Sequence, residues 1–141
     1  MNKVVLITGS TSGIGLAIAK EFAKVGYAIS FNGLEKDGAE IAAAVGKEFG
    51  VKTFFSNANL LDAAAIEKYI GETEKELGAV DVLVNNAGIQ HVSEIENFPV
   101  EKWNAIIALN LTASFHTTRL VLAGMKKRNW GRVINIASAH G

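Results

Sequence analysis

Val4-Val5-Leu6-Ile7-Thr8-Gly9-Ser10-Thr11-Ser12-Gly13-Ile14-Gly15 is the stretch that decides how this chain folds. Four apolar residues predict a short buried strand. The strand empties into a glycine turn, and the turn opens a helix expected over Gly13–Val25. At a helix start the backbone N–H groups lack intrahelical partners, and the aligned peptide dipoles favour an anion. Glycines let the chain turn sharply and let phosphate oxygens approach the backbone. Thr8, Gly9, Ser10, Ser12, Gly13, Ile14 and Gly15 are thus the candidate phosphate cradle, with Ser10, Ser12 and the loop amides as pyrophosphate ligands. The spacing G-x-x-x-G-x-G differs from the G-x-G-x-x-G dinucleotide pattern, and it lacks the Lys of a P-loop. A glycine turn without a ligand is the plain alternative, and the strand–turn–helix context argues against it.

Outward from this unit, strand and helix signals alternate to the end of the chain, which predicts a parallel sheet with helices on both faces. Strands are expected near Val4–Thr8, Ala28–Asn32, Val51–Ser56, Val80–Asn85 and Arg132–Ala137. They are short and rich in Val, Ile and Phe, as buried strands are. Helices are expected over Gly13–Val25, Lys36–Phe49, Asp62–Leu77 and Val100–Arg128. Gly26, Gly50 and Gly78 stand where left-handed caps end helices. Asp62 suits an N-cap, and Pro99 suits a helix start. The last helix is apolar on more than one side: Ile106, Leu109, Ala113, Leu120 and Val121, but also Trp103, Ile107, Leu111, Phe115 and Leu122. Such a helix is either sandwiched in a large core or packed on another subunit.

A length of 141 residues suits one domain with one core, and 49% apolar residues argue against disorder. Fourteen basic and fourteen acidic residues cancel, so nothing points to a nucleic acid partner. The absence of cysteine excludes disulfides, thiolate catalysis and zinc–thiolate sites. His91 and His116 have no metal-ligand spacing, so no metal is assigned. Met1-Asn2-Lys3 leads straight into the first strand, and no apolar run reads as long enough to cross a bilayer. No membrane partner and a cytoplasmic address are the expectations.

Three further segments carry chemistry-bearing residues at strand ends or inside the last helix. Asn85-Asn86-Ala87-Gly88 follows Val80-Asp81-Val82-Leu83-Val84. Asn110 sits in the last helix, and Asn135-Ile136-Ala137-Ser138 closes the fifth strand. In a doubly wound sheet, ligands bind outside the carboxyl ends of the strands where the strand order reverses. Asn86 lies at such an end, either beside the cofactor or as a turn residue bonded to its own backbone. Ala87 and Gly88 are small enough for a ribose or ring to lie against the backbone. A buried Asn110 needs hydrogen bonds, and it would either brace a kink or hold a water.

Together these motifs resemble the classical short-chain dehydrogenases/reductases, whose cofactor loop reads T-G-x-x-x-G-x-G. The resemblance spans the whole chain. It implies a Rossmann-like doubly wound parallel α/β sheet, with residues 1–141 forming the N-terminal part of a single NAD(P)-binding domain, truncated after the fifth strand. It also implies Ser138 as the residue that holds the substrate oxygen, Asn110 as support for a water in the proton path, and dimerisation through the helix over 100–128. The stretches Asn86-Ala87-Gly88-Ile89-Gln90-His91 and Ser138-Ala139-His140-Gly141 are similar to the branch of bacterial 3-hydroxybutyrate dehydrogenases. In that branch Gln90 and His140 would bind the carboxylate of a small hydroxy or keto acid, and the reaction would interconvert (R)-3-hydroxybutyrate and acetoacetate.

Two positions depart from the family pattern. The acid that marks NAD use falls on Leu34 in Asn32-Gly33-Leu34-Glu35-Lys36, which leaves Glu35 as the one nearby carboxylate. No Arg or Lys stands in the glycine loop, so NAD is favoured over NADP. Asn59, followed by Leu60 in the adenine-binding segment, replaces an Asp of many relatives; it keeps a carbonyl acceptor without the charge. The family's Tyr-x-x-x-Lys is not found: four positions after Tyr27 and Tyr69 stand Phe31 and Thr73. It would lie beyond Gly141, so the 141 residues alone are expected to lack the base, to turn over little, and to expose the fifth strand and apolar helix faces. A reductase of another small alcohol or ketone, and a non-catalytic dinucleotide-binding or assembly module, are the competing readings.

Overall fold

The computed structural model describes residues 2–138. Its elements are β1 (Val4–Ile7), α1 (Gly13–Lys24), β2 (Ala28–Asn32), α2 (Gly38–Phe49), β3 (Thr53–Ser56), α3 (Ala63–Leu77), β4 (Val82–Asn85), α4 (Val100–Ile107), α5 (Ala113–Lys127) and β5 (Arg132–Asn135). The five strands form one parallel sheet in the order β3-β2-β1-β4-β5. Strand order reverses between β1 and β4, so the carboxyl ends of those two strands face the crevice where such sheets bind ligands. This is the expected doubly wound α/β architecture.

Alternation along the strands divides the core into two layers. Val5, Ile7, Ile29, Phe31, Val82 and Val84 face α1 and α2, meeting Ala19, Ala23, Ala42 and Val45. Leu6 and Leu83 face the other way, onto Ile66, Tyr69 and Ile70 of α3 and Ala113, Val121 and Met125 of α5. β1, β2 and β4 are buried throughout, as continuous apolar runs between two helical layers should be. Tyr69 is fully buried, with its hydroxyl on Ser30 Oγ at 3.0 Å; burial pushes its phenol far up, so it stays neutral.

Several expected boundaries shift. β3 and β4 begin two residues later than the apolar pattern suggests, and β5 ends at Asn135. Asp62 caps α3, its carboxylate accepting from the Ala64 N–H at 3.0 Å. Gly50 takes the left-handed conformation, whereas Gly78 has positive φ with extended ψ and is not a left-handed cap. The expected single helix over 100–128 is interrupted by a π turn at Ala108–Thr112, and a 3-10 turn at Ile95–Asn97 precedes it. A 3.6-residue hydrophobic pattern does not reveal the extra residue of a π turn.

The run Val100–Lys127, 28 residues long, is by length and composition apolar enough to cross a bilayer. That corrects the expectation that no run in the chain qualifies. In this fold Ala113, Thr117, Val121 and Met125 of the run are buried. Its other face shows Trp103, Leu111 and Phe115, each more than half exposed.

Candidate functional site

The carboxyl ends of β1, β2 and β4 are tied into one unit by polar side chains that continue the strands. Thr8 is buried, and its Oγ1 accepts from the N–H groups of Asn86 and Ala87, both at 3.0 Å. Asn86 returns the link: its Nδ2 donates to the carbonyls of Thr8 at 3.2 Å and Gly9 at 3.0 Å. Two loops 78 residues apart in sequence are thereby held in contact. The glycines make this approach possible. A Cβ on Gly9 would lie 3.1 Å from Ala87 Cα, and one on Gly15 would run into Gly9 O and Asn86 Nδ2.

Asn32, at the end of β2, is the hub that sequence reasoning missed. Its Oδ1 accepts from Gly9 N–H at 3.1 Å, and its Nδ2 donates to the carbonyls of Ser56 at 3.3 Å and Ala58 at 3.1 Å. Its backbone exchanges hydrogen bonds with Ser10, whose own hydroxyl is buried and donates to Ile7 O at 2.7 Å. A polar residue ending a fully buried strand was the available signal. Asn85 does the same for β4: Thr117 donates to its Oδ1 at 2.6 Å, and its Nδ2 donates to Asn135 Oδ1 at 2.9 Å.

These bonds correct several expected ligands. The Ser10 hydroxyl and the Gly9 and Ser10 amides hold the loop together and are not directed at phosphate. Thr8 Oγ1 likewise braces the loop, as the acceptor of two amides. The Ser12 hydroxyl donates to Glu35 Oε1 at 2.9 Å. What is left for an anion is the start of α1. Its N-cap residue, Ser12, makes no side-chain cap, so the N–H groups of Gly13, Ile14 and Gly15 are not capped by it. Gly13 has open space where a side chain would stand, and Ile14 is exposed beside it. An uncapped helix start with an open glycine fits a diphosphate.

Leu34 points into solvent, 74% exposed, and carries no acid to the site. Glu35 does: its carboxylate accepts from the hydroxyls of Thr11 and Ser12. The Thr11 hydroxyl foremost, then the Glu35 backbone N–H and the Ser12 hydroxyl, hold this carboxyl below its ordinary value. Leu60 is buried among Leu6, Ile66 and Leu83, so its side chain belongs to the core. Asn59 is exposed, and its Oδ1 accepts from Leu61 N–H at 3.0 Å in a local turn, leaving one lone pair of that carbonyl.

On the β4–β5 side, Ile136 N–H donates to Asn85 O at 3.0 Å, so the segments leaving the two strands start side by side. Ala87, Gly88 and Gln90 lie on the first segment, with Gly88 and Gln90 exposed, and Ser138 lies exposed on the second. His140 falls outside the described residues. Asn110 lies in the π turn and is exposed, which corrects its expected burial. Its amide braces the segment after β4 and not a helix kink: Nδ2 donates to Ile89 O at 2.8 Å, and Oδ1 accepts from Ile89 N–H at 2.9 Å. Both ends of the amide are engaged with one residue of the segment after β4. Neither tyrosine reaches this edge. Tyr69 is buried under β2, and Tyr27 precedes β2 at the opposite edge of the sheet.

The short chain dehydrogenase family matches this chain over residues 3–141. A D-beta-hydroxybutyrate dehydrogenase of Cupriavidus necator is 51% identical over 139 residues, which are 99% of this chain and 54% of that protein. Among solved structures, an L-sorbose reductase from Gluconobacter frateurii complexed with NADPH and L-sorbose superposes with a TM-score of 0.93 at 34% identity, over 98% of this chain and 53% of that one. An NAD+-bound xylitol dehydrogenase superposes with a TM-score of 0.91 at 30% identity, over 99% and 54%. The chain spans about half the length of the curated relatives it matches.

Proposed function

The chain belongs to the short-chain dehydrogenase family, and from that premise we propose that it forms the cofactor-binding and substrate-anchoring half of an NAD-dependent oxidoreductase interconverting (R)-3-hydroxybutyrate and acetoacetate. The observation that carries the reading is the joined edge at the switch point. There the uncapped start of α1, the Asn86–Thr8 link and the segment bearing Gln90 meet at the ends of adjacent strands. The likeness to a D-beta-hydroxybutyrate dehydrogenase supports the substrate.

The nicotinamide, when bound, supplies the hydride acceptor or donor. The N–H groups opening α1 hold phosphate charge by their dipoles. Ala87 and Gly88 leave the backbone accessible beside it. The Gln90 amide is a hydrogen-bond donor suited to a small carboxylate, and Ser138 Oγ is suited to the oxygen that gains or loses the proton. Asn110 fixes the segment carrying Gln90 by its paired bonds to Ile89. Removal of the hydroxyl proton is assigned to no tyrosine among these residues, since Tyr27 and Tyr69 are both remote from the edge.

A second copy of the chain is the proposed partner. The apolar outer face of α4 and α5, with Trp103 57% and Phe115 62% exposed, is the surface for it. The accessible surface is 8532 Å², whereas a compact monomer of this mass exposes about 7,000 Å². The excess is shared between this face and β5, which is exposed along its length.

The test is NAD-dependent thermal stabilisation of residues 1–141, read with NADH formation from NAD and (R)-3-hydroxybutyrate in the same sample. Stabilisation without appreciable turnover is expected. No stabilisation would remove the cofactor reading, and turnover would show that another group abstracts the proton. Acetoacetate binding to the NADH-loaded protein, weakened in Gln90→Leu, tests the substrate.

A further inference from the structure

Resting on the cofactor reading above, we propose that Asn32 is a positioning residue for the dinucleotide: its one side-chain amide sets the glycine loop against the segment after β3, and so couples the diphosphate end of the site to the adenosine end. Asn32 is buried at the end of β2, the strand that lies between β1 and β3. Its Oδ1 accepts from the N–H of Gly9, 23 residues earlier. Its Nδ2 donates to the carbonyls of Ser56, at the end of β3, and of Ala58, 26 residues later. An Asn amide has two N–H donors and one carbonyl acceptor, so both donors serve one segment and the acceptor serves the other. An Asp here would keep the acceptor but turn a second oxygen toward two carbonyls. Among the described residues no other side chain bonds both the glycine loop and the segment after β3.

Both loops are tight around this contact. Gly9 has a φ of +61°, and its carbonyl accepts from Asn86 Nδ2 at 3.0 Å, so its N–H is held by β2 and its carbonyl by the segment after β4. Ala58 N–H donates to Ser56 Oγ at 3.1 Å. The next residue, Asn59, accepts from Leu61 N–H at its Oδ1 and from Asp62 N–H at its backbone carbonyl. Asn59 is the residue that the cofactor reading gives to the adenine, and the glycine loop leads to the start of α1, given to the diphosphate. A dinucleotide must meet both at once. Two subsites held at a fitting spacing bind a linked ligand far better than its separate parts, because the second contact becomes intramolecular. Loss of the link therefore weakens the whole dinucleotide more than either part. Asn32→Ala isolates that link. The two bonds between the Asn32 backbone and Ser10, at 3.0 and 2.7 Å, need no Asn32 side chain and keep the loop on β2.

Equilibrium titration of the protein and of Asn32→Ala tests this without activity. NADH is followed by nicotinamide fluorescence, and adenosine and inorganic pyrophosphate by their displacement of it. NADH affinity should fall by about tenfold in the variant, and the affinities for adenosine and pyrophosphate by less than about threefold. A residue that only supports the fold would weaken all three alike. If Asn32→Ala does not fold, amide exchange in the unmodified protein decides. Saturating adenosine should slow exchange of the Gly9 N–H, on the other loop, by about threefold or more, because coupling between two sites is reciprocal. Equal loss for the three ligands, an unchanged NADH affinity, or exchange slowed only in the segment after β3 overturns the role of Asn32 and leaves the cofactor reading intact. Binding of neither NADH nor NADPH by the unmodified protein overturns both.

Discussion

The two halves of the crevice are built differently. On the β1–β2 side, buried strands end in Thr8, Ser10 and Asn32, and their hydrogen bonds close the glycine loop against β2 and β4 before any ligand arrives. On the β4–β5 side, the segment 88–97 is exposed, β5 is exposed along its length, and an apolar groove of about 450 Å³ opens among Ile95, Phe98, Val100 and Trp103. The contrast teaches that the β1–β2 side is preorganised by residues of this chain alone. The β4–β5 side hangs on few fixed points, the Asn110–Ile89 pair and the Asn85–Asn135 contact chief among them. Preorganised phosphate sites gain affinity because the ordering cost is met in folding.

The harshest way to break this contrast is Gly15→Ala. The new methyl would collide with the Gly9 carbonyl and the Asn86 amide, the two groups that hold the loops together. Overpacking of this kind costs about 1–3 kcal/mol. NADH affinity should drop by about 100-fold, since every 1.4 kcal/mol is tenfold. Fluorescence titration and thermal unfolding check both effects. Gly71→Ala is the matched control, because Gly71 lies exposed inside α3 with nothing near its missing side chain. It should stabilise by about 0.5–1 kcal/mol and leave affinity unchanged. Equal damage from both substitutions would show that the loop is not the preorganised element.

Asn110→Ala probes the other half. It removes both bonds to Ile89 and should cost about 1 kcal/mol of stability, because the site is exposed and water replaces the lost partners. Ile89 amide exchange should accelerate strongly, while NADH affinity changes by less than about threefold. An equal loss of NADH affinity would mean that the two halves are not separable in this way.

How much of this was legible in the sequence follows the same divide. The glycine loop, the five strands, their alternation with helices and the strand-end placement of Asn86 and Ser138 all follow from local pattern. Each rests on a short-range signal: apolar runs, glycine spacing, a cap such as Asp62. What the sequence hid is long-range. Asn32 reads only as the last residue of a strand until β3 and the glycine loop are placed around it. Ser10 and Ser12 both read as phosphate ligands, and only the contacts show one buried and the other turned to Glu35. Gly33 is given no role by the sequence, and that no side chain fits there comes from Thr11, 22 positions earlier. The π turn is hidden because one extra residue barely disturbs a helix that is apolar on two sides.

The mildest probe returns to the cofactor half, through pH. Glu35 has a folded pKa below its ordinary value of 4.5, first through the Thr11 hydroxyl. A depressed carboxyl contributes stability that is present above its unfolded pKa and is lost as pH falls through the folded value. Stability should therefore decline in acid below the ordinary value, and Glu35→Gln should flatten part of that decline while lowering stability slightly at neutral pH. The effect is small, because the carboxylate lies at the surface and water screens it. Urea midpoints measured across the acid range for both proteins give the difference directly. If the slope is the same in both, the Thr11 and Ser12 hydroxyls hold the carboxylate no more tightly than water does. The loop would then owe its order to Asn32 and Asn86 alone.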